Sequence, residues 1–571
     1  MSQYTGDNQS YPGAPRRDQM WTRWGQLKIE RATWWAHWQE ITNFLLPRNG
    51  RYFRQDRDKG WRRHNNIYDN TGTRALRTLG AGMMAGATSP ARPWFRLATS
   101  DPSLNAYQPV KVWLDDVTKR MQAVFQRSNT YRALHSMYEE LGAFGTAVSI
   151  VLPDFNDVIH HYPVTCGEYC IATDYQGKVC TLYREFEKTV GELVKEFGYK
   201  NCSNTVKSMY DRGTLDKWIP IIHAIEPRAD RDTKKMDSKN MAWGSYYFEV
   251  GGDPNKLLRE GGFKYFPALV PRWAVAGGDI YGNSPGMESL GDIKQLQHEQ
   301  LRKAQVIDYQ TKPPLQVPTA LKNRDVDTLP GGITFVDGQM GIKSAFDVNL
   351  NLQHLLMDIQ DVRERVRGSF YADLFLMLAN ATDTRMTATE VAERHEEKLL
   401  MLGPVLERLH NELLDPLIDI TFARMIEAGL VPPAPPELQG MDLNVEFVSM
   451  LAQAQRAIGT NSVDRFVGNL GAIAQMKPDV LDKFDSDQWA NMYSDMLGLD
   501  PNLIIADKQV ALVRDARNKA MAAKEQAAAM QQQSQTAKNL AQAPTNPGDK
   551  NALQDVMNMF SGYNSPSPVE V

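Results

Sequence analysis

Two long helices with narrow apolar seams constrain the fold of this chain more than any other feature. Residues 284–312 begin with Ser284 at a good N-cap position and Pro285 at the first helical position. Apolar residues then recur in one narrow stripe, and a second run, 347–372, has apolar residues spaced by three or four and a charged outer face. A helix that is polar around most of its circumference is a poor centre for a monomer core. The pattern therefore predicts helices that pack beside neighbours in an assembly.

Between these helices, and ahead of them, the chain has the composition of β-structure. Residues 313–346 contain Pro and Gly clusters that end any helix, which predicts a compact β excursion. From about 148 to 280, short β-branched and aromatic runs alternate with Gly, Asp and Pro, which predicts an antiparallel sheet with one inserted helix at 189–199. Helical patterns fill most of the remaining sequence. The predicted fold class is therefore α+β and mainly helical.

A small polar gap, "LANATDTRMTATEVAERHEE", interrupts helical sequence at 378–397. Thr387 and Glu390 have the spacing of a capping box, in which each side chain accepts a hydrogen bond from the backbone N–H of the other residue. The gap contains one arginine, Arg385. Two interpretations of Arg385 stay open: a contact with a ligand in a wet channel, or an ion pair with Asp383 or with an acidic residue of a neighbour.

Charge is unevenly distributed along the chain. The net charge is −4, but residues 1–100 have a balance of +9 and residues 401–571 a balance of −8. This asymmetry indicates two surfaces with different partners rather than a generic nucleic-acid binder. The loop 48–63 has seven basic and two acidic residues with interleaved aromatics. Such loops can hold nucleic acid, but a solvated surface or a subunit contact is the favoured interpretation of its arginines, Arg51, Arg54, Arg57, Arg62 and Arg63.

Motifs for nucleotide, metal and hydrolase chemistry are absent from the sequence, so we expect no enzyme activity and no cofactor. Gly80, Gly82 and Gly86 lack the spacing of a phosphate-binding loop and indicate close helix packing instead. Four cysteines lie close together in sequence, near His160 and His161, but their spacing matches no paired zinc knuckle. We expect buried or free thiols. The absence of an 18-residue apolar stretch predicts no membrane span, and residues 1–20 are expected to be a mobile polar arm.

Several strings resemble one protein family. They include "IYDNTGTRALRTLGAGMMAGATSPARPWFRL", "GNSPGMESLGDIKQLQ", "PPLQVP", "MTATEVAERHEEKLLMLGPVLERL" and "LLDPLIDITFARMIEAG". These strings and their order are similar to those of the portal, or head-to-tail connector, proteins of short-tailed bacteriophages. The resemblance covers roughly residues 25–455 and is most specific over 284–430.

The resemblance implies a ring, most often of twelve subunits, at one capsid vertex, with double-stranded DNA in its channel. It implies the following parts: an N-terminal arm (1–20), a wing (21–283), stem helices (284–312 and 347–372), a clip (313–346), a channel loop (373–388), a wing helix and linker (389–444), a helical crown (445–540) and a flexible tail (541–571). The channel loop would present Asp383, Thr384, Arg385 and Met386. The clip would present Lys322, Asn323 and Arg324.

The implied partners are the terminase large subunit and later the tail adaptor protein at the clip, and the major capsid and scaffolding proteins at the wing. The basic loop is then expected to contact the capsid or a neighbouring subunit. The implied location is the virion, after assembly in the host cytoplasm. Two alternatives stay open: another virion interaction protein, such as a scaffold or tail component without an axial pore, and a nucleic-acid-processing packaging enzyme.

Overall fold

The structure is a computed structural model, which divides into two units, Met1–Leu497 and Gly498–Val571. It describes residues 15–49, 66–105, 107–235, 237–253, 255–311, 315–316, 343–344, 353–380, 402–438, 443–449, 469–470, 484–489, 507–542 and 557.

The first part of unit 1 is helical around one short strand. Its elements are α1 (Arg16–Phe44), α2 (Thr71–Ala87), β1 (Phe95–Thr99), α3 (Pro102–Asn105), α4 (Gln108–Arg127) and α5 (Thr130–Phe144). Buried residues of α2, α4 and α5 recur at helical spacing, among them Leu76, Leu79, Leu134 and Leu141. They form the centre of the largest apolar cluster of the molecule. Each fully buried side chain of this size stabilises the fold by about 1.5–3 kcal/mol.

The β-rich body follows, as predicted. Its elements are β2 (Val148–Asp154), β3 (Val158–Val164), β4 (Tyr169–Thr173), β5 (Val179–Thr189), α6 (Val190–Phe197), α7 (Asn204–Asp211), β6 (Trp218–Pro227), β7 (Trp243–Glu249), β8 (Arg259–Phe263) and β9 (Ala268–Leu269). Strands β4 to β8 form one five-stranded antiparallel sheet in chain order, and β3, β2 and β9 form a second sheet. The inserted helix lies where the sequence predicted it and starts with a capping box of Thr189 and Glu192.

The start of α1 corrects the predicted N-terminal arm. Residues 16–20 are helical rather than mobile, and Met20 packs with Trp24 and Leu27 against the five-stranded sheet. Arg17 is buried, and its Nη2 donates a hydrogen bond to the carbonyl of Glu249 at 3.2 Å. Polar composition suggested an arm, but these contacts with residues more than 200 positions away fix the segment. Residues 1–14 lie outside the described part of the chain.

Two long helices follow, separated by a largely undescribed segment. The elements are α8 (Pro285–Glu288), α9 (Leu290–Thr311), β10 (Leu315–Gln316), β11 (Lys343–Ser344), α10 (Gln353–Ser369) and α11 (Ala372–Asn380). Ser284 Oγ accepts a hydrogen bond from the Met287 N–H at 3.1 Å, so this residue is the helix cap that the sequence predicted. β10 and β11 pair antiparallel, which places the two ends of the predicted excursion side by side.

Helix α11 corrects the predicted start of the channel loop at 373. After α10 ends, Tyr371 has φ 53°, and the chain turns into nine further helical residues. Leu374 and Phe375 are buried in the main apolar cluster. The apolar run "LFLMLA" therefore belongs to a helix that extends to Asn380 and packs through Leu374 and Phe375, and residues 381–401 lie outside the described part.

A strand late in unit 1 pairs with the first strand of the unit. Residues 402–409 are helical and run through a π-helical turn, His410–Leu414, into α12 (Asp415–Glu427). Strand β12 (Leu443–Phe447) pairs antiparallel with β1. This pairing corrects the predicted boundary between linker and crown at 444/445, because that boundary divides a strand of the first unit. In unit 2, α13 (Asp507–Gln542) is one 36-residue helix.

Candidate functional site at the junction of the long helices

Asp69, just before α2, is the centre of the junction between the long helices. Arg363 of α10 donates from Nε and Nη2 to Oδ2 of Asp69 at 3.1 and 2.7 Å. The backbone N–H and the hydroxyl of Thr71 donate to Oδ1 at 2.8 and 2.5 Å. Burial opposes ionisation of this carboxyl, but the hydrogen bonds from Thr71 and Arg363 outweigh burial and lower the pKa of Asp69. The carboxylate therefore joins α10 to the start of α2.

Helix α9 joins the same point through two glutamines. Gln297 is buried, and its Oε1 accepts the backbone N–H groups of Tyr68 and Asp69 at 2.6 and 2.8 Å. Its Nε2 donates to the Asp69 carbonyl at 2.9 Å, and Gln300 Nε2 donates to Asp69 Oδ2 at 3.1 Å. Three of these hydrogen bonds meet the backbone of residues 68 and 69, and the fourth meets the Asp69 carboxylate. Helix α9 is therefore joined to the start of α2 at the point where Arg363 joins α10.

A pair of carboxyl groups lies between α9 and α10. Glu299 of α9 is buried, and its Oε1 accepts a hydrogen bond from Gln295 Nε2 at 2.6 Å. Its Oε2 is buried and has no hydrogen-bond partner among the described residues. Burial and the neighbouring carboxyl of Asp358 on α10 raise the pKa of Glu299. A proton held between the two carboxyls would satisfy both groups, and we expect Glu299 to stay protonated at a pH where an exposed glutamate is charged.

The contacts of Arg365 on α10 show the relative direction of α9 and α10. It lies 3.6 Å from Asp292 of α9 and 3.7 Å from Asp361 of its own helix. Residue 365 of α10 faces residue 292 of α9, and residue 358 of α10 faces residue 299 of α9. Residue numbers therefore increase along α9 in the direction in which they decrease along α10. The two helices are therefore antiparallel.

A close helix contact positions α11 ahead of the polar gap. Gly82 of α2 lies directly against Phe375 of α11, so that a Cβ at residue 82 would overlap the phenylalanine side chain. Gly80, two residues earlier and on nearly the opposite side of the helix, lies against α5, with 2.8 Å between a Cβ built at residue 80 and Glu139 Cγ. Two of the three glycines that the sequence assigned to close packing, Gly80 and Gly82, therefore do pack closely.

A buried ion pair anchors the chain on the far side of the gap. Arg272 Nη2 donates to Glu412 Oε1 at 2.6 Å, and the Arg272 backbone N–H donates to Oε2 at 2.9 Å. Arg272 Nη2 also donates to the Gly177 carbonyl at 2.7 Å, and Arg408 Nη1 reaches Glu412 Oε1 at 3.2 Å. Glu412 lies in the π-helical turn, an irregularity that is frequent at functional sites and that here aims the carboxylate at the β-rich body.

The cysteines and one buried acid lie in the β-rich body and α5. Cys166, Cys170 and Cys202 are buried, and Cys180 is half-buried. Burial raises the pKa of Cys170 to about 11 and the pKa of Glu140 to about 8.

The described residues hold no group of three His, Cys, Asp or Glu side chains arranged to bind a metal ion. Within the described part of the chain, no helix has the length and apolar character of a membrane span.

The residues that the sequence singled out as candidate sites fall outside the described part. These are the channel-loop residues Asp383, Thr384, Arg385 and Met386, the capping pair Thr387 and Glu390, the clip residues Lys322, Asn323 and Arg324, and the basic-loop arginines Arg51, Arg54, Arg57, Arg62 and Arg63. The structure brings together a different set, headed by Asp69, Gln297 and Arg363, which join elements far apart in sequence. Sequence periodicity marked Gln297 and Arg363 only as polar positions on long helices.

The described part of unit 1 is an α+β body that holds an antiparallel pair of long, mostly polar helices. The family model described as bacteriophage head to tail connecting protein matches residues 17–505, and the chain belongs to this family. It is 65% identical over 545 residues to the probable portal protein of Bordetella phage BPP-1, covering 95% of this chain and 98% of the relative. It is 47% identical over 537 residues to the portal protein of Salmonella phage epsilon15, covering 93% and 96%.

Matches among solved structures include a chain from the neck of an empty gene transfer agent (GTA) particle computed with C6 symmetry. The TM-score is 0.32 at 9% identity, with 77% of this chain and 94% of that chain covered. A chain from the neck of the native particle computed with C12 symmetry gives a TM-score of 0.31 at 9% identity, with 77% and 95% covered.

Proposed function

We propose that this protein is the portal subunit of a short-tailed bacteriophage virion. Twelve copies form a ring at one capsid vertex, and double-stranded DNA is packaged and ejected through its channel. The observation that carries the proposal is the identity of 65% and 47% with two proteins named as portals, over more than nine-tenths of each chain. In this proposal the protein is a structural ring and a conduit for DNA, without catalysis of its own.

The exposure of the long helices supports a ring. The 22 residues of α9 extend about 33 Å. The residues of α9 buried within the chain lie in its first half, from Leu290 to Glu299, and α10 buries only Ile359, Val362 and Val366. Ile307 and Met357, near the excursion, are 42% and 70% exposed. Helices with this much uncovered surface gain stability when neighbouring copies cover it.

Net charge supports passage of DNA rather than tight binding. Twelve copies at −4 carry about −48, so DNA phosphates are repelled on average and the duplex can slide. In this assignment Arg385 touches phosphates transiently from the channel loop, with Asp383, Thr384 and Met386 beside it. The capping box of Thr387 and Glu390 holds the far side of that loop.

The remaining parts take the roles that the family resemblance implies. Residues 313–346 form the clip, where Lys322, Asn323 and Arg324 meet the terminase large subunit during packaging and the tail adaptor afterwards. The basic loop 48–63 contacts the capsid, the scaffold or a neighbouring subunit. Residues from about 450 to 540 form a crown toward the capsid interior.

Negative-stain electron microscopy of the purified full chain tests the proposal. We expect closed rings with an axial hole of about 20 Å or wider, enough for a duplex whose major groove alone is about 12 Å across. Monomers, solid discs or fibres would contradict a conduit and support a scaffold or tail component. Metal-dependent DNA cleavage or nucleotide hydrolysis by the pure protein would instead support a packaging enzyme.

A further inference from the structure

Arg228, directly after β6, has one buried guanidinium nitrogen without a partner. The arginine side chain is 2% exposed. Its Nε donates to the Tyr246 hydroxyl at 3.0 Å, and its Nη2 donates to the Gly261 carbonyl at 3.0 Å and to Glu260 Oε1 at 3.4 Å. Nη1 is buried and has no hydrogen-bond partner among the described residues. A buried donor of a charged group costs free energy when it is left unpaired, so Nη1 marks a place where an acceptor would be stabilising.

Arg16, the first residue of α1, reaches two of the same acceptors. Its Nη1 donates to the Tyr246 hydroxyl at 3.1 Å and to Glu260 Oε1 at 3.3 Å. Two guanidinium groups therefore share one phenol oxygen and one carboxylate oxygen. Arg16 Nη2 binds a further carboxylate, that of Asp230, which lies on the loop between β6 and β7 and is 64% exposed. Because the Asp230 side chain is mostly in solvent, it can leave Arg16 without uncovering the core.

The two arginines are close enough to bind one ligand together. The Tyr246 hydroxyl lies 3.1 Å from Arg16 Nη1 and 3.0 Å from Arg228 Nε, which limits the gap between these two nitrogens to 6.1 Å at most. An anion with several oxygens can accept hydrogen bonds from donors on both sides of such a gap. A planar guanidinium with two parallel donors suits a phosphate better than a single-point cation does.

Positive charge exceeds negative charge around these arginines. Lys239 Nζ lies 4.0 Å from Glu260 Oε2, so Arg16, Arg228 and Lys239 surround the two carboxylates of Glu260 and Asp230. One net positive charge remains with Asp230 in place, and two remain once Asp230 has left. The start of α1 adds the partial positive charge of its free backbone N–H groups. A phosphate group carries about −1.5 to −2 charges at neutral pH and matches the site without Asp230.

A nearby carboxyl, Glu226, does not supply the missing charge. Its Oε2 accepts a hydrogen bond from the Tyr183 hydroxyl at 2.8 Å, and burial raises the pKa of Glu226. It therefore carries less negative charge than an exposed glutamate. The burial of Arg228 Nη1 also limits the size of the ligand, because the backbone of a rigid DNA duplex cannot reach a buried nitrogen, whereas a small ion that replaces Asp230 can.

We propose that Arg16 and Arg228 form a binding site for a free phosphate ion, which replaces Asp230 on Arg16 and accepts a hydrogen bond from Nη1 of Arg228. Tyr246 and Glu260 keep their contacts with the two arginines. The bound ion joins the start of α1 to the end of β6. The site lies outside the long helices, so it is independent of the proposed portal function.

Titration of the purified full chain with inorganic phosphate tests the site by isothermal titration calorimetry. We expect saturable heat from phosphate and none from acetate at the same ionic strength. Arg228→Gln should weaken phosphate binding about tenfold or more, because one hydrogen bond to a charged group has that strength. Asp230→Asn should instead tighten binding several-fold, because phosphate then displaces no carboxylate.

Two exposed residues of the same loop supply matched controls. Arg231→Gln removes the same positive charge as Arg228→Gln, and Asp232→Asn removes the same negative charge as Asp230→Asn. Both controls should leave the affinity within about twofold, since exposed charges contribute little. Circular dichroism shows whether Arg228→Gln is folded. Asp230→Asn changes an exposed side chain and keeps the test decisive if Arg228→Gln is not folded.

The outcomes separate this site from general electrostatics and from the portal function. Absence of saturable heat with phosphate overturns the site, and so does unchanged affinity in folded Arg228→Gln. Equal binding of acetate assigns the arginines to carboxylates and overturns the phosphate site. An equal gain in Asp230→Asn and Asp232→Asn overturns the displacement of Asp230. Closed rings of a chain that binds no phosphate overturn this site and leave the portal proposal standing.

Discussion

Arg363 and Asp69 are 294 positions apart in sequence, yet two guanidinium nitrogens of the arginine meet one carboxylate oxygen of the aspartate at 3.1 and 2.7 Å. The aspartate side chain is 5% exposed and the arginine side chain 35%. This contact fixes α10 against the start of α2, and Gln297 adds α9 to the same point. This buried polar cluster therefore joins both long helices to the start of α2.

Asp69→Asn should destabilise the first unit by about 2 kcal/mol, because hydrogen bonds to a charged group contribute about 1.5–3 kcal/mol. Denaturant unfolding at neutral pH measures the change. Lys195→Gln is the control, since Lys195 is an exposed residue of α6, and its effect should stay within about 0.5 kcal/mol. Equal midpoints for Asp69→Asn and wild type would show that the cluster does not hold the helices.

The same variant carries a pH signature. The pKa of Asp69 is lowered in the folded state, so its contribution is present above the unfolded value of about 3.9 and is lost as pH falls through the folded value. The stability difference between wild type and Asp69→Asn should therefore shrink below about pH 4. A difference that stays constant through this range would contradict the ionised cluster.

Glu299→Gln should have the opposite pH dependence. The pKa of Glu299 is raised, so the shared proton stabilises the fold below the unfolded value of about 4.3, and this contribution is lost as pH rises through the folded value. Glutamine keeps a donor toward Asp358 at every pH, so the variant should lose less stability than wild type as the pH rises above about 4. Unfolding free energies across that range measure it, with the exposed Glu364→Gln as control. Parallel curves for wild type and Glu299→Gln would exclude the shared proton.

The sequence predicted the elements of this junction better than its contacts. The cap at Ser284, the two long helices and the glycine packing of α2 follow from local rules, because a helix cap or an apolar stripe depends on residues only a few positions apart. Asp69 with Arg363, and Arg272 with Glu412, join segments 294 and 140 positions apart, and no local pattern encodes such a pair. The polar gap drew attention to Arg385, but the channel role proposed for this residue rests on the family resemblance.

Strands β3 and β8 also depend on contacts that no local pattern encodes. β3 contains Pro163 and two histidines, and β8 contains Gly261 and Gly262, so both have weak intrinsic strand propensity. Their pairing with β2 and β7 imposes the extended conformation. Strand β12 pairs with β1, nearly 350 positions earlier, and no local pattern predicts such a pairing.

Gly82→Ala should destabilise the protein by about 1–3 kcal/mol, because the added methyl group would overlap Phe375 in a packed core. Gly368→Ala is the matched control. It lies in helix α10, where an added Cβ meets no described atom within 4 Å, and there alanine should be neutral or stabilising by up to about 1 kcal/mol. Thermal unfolding compares the two variants. Equal stability of both would mean that α11 does not pack tightly on α2.

Glu412→Gln should cost about 3–5 kcal/mol, since it leaves the buried Arg272 guanidinium without its counter-charge. The neighbouring exposed Glu407→Gln is the control and should change stability little. Limited proteolysis of the folded chain adds a local readout, with faster cleavage expected around 402–414 in Glu412→Gln. Unchanged stability and unchanged cleavage would show that the π-helical turn is held by other contacts.

Arg385→Ala tests the remaining choice between a channel residue and a structural ion pair. If Arg385 faces DNA in the proposed channel, the variant should assemble rings of normal size, while DNA packaging or retention in particles changes. Arg385→Lys should retain most of the packaging, because lysine keeps the positive charge that meets phosphate, though not the bidentate geometry. Asp383→Asn supplies the complementary control, since it removes the acidic residue with which Arg385 would pair. Micrographs of the rings and the DNA content of purified particles give the two readouts. If Arg385→Ala and Asp383→Asn both prevent ring assembly, the arginine is structural and its assignment to the channel is wrong.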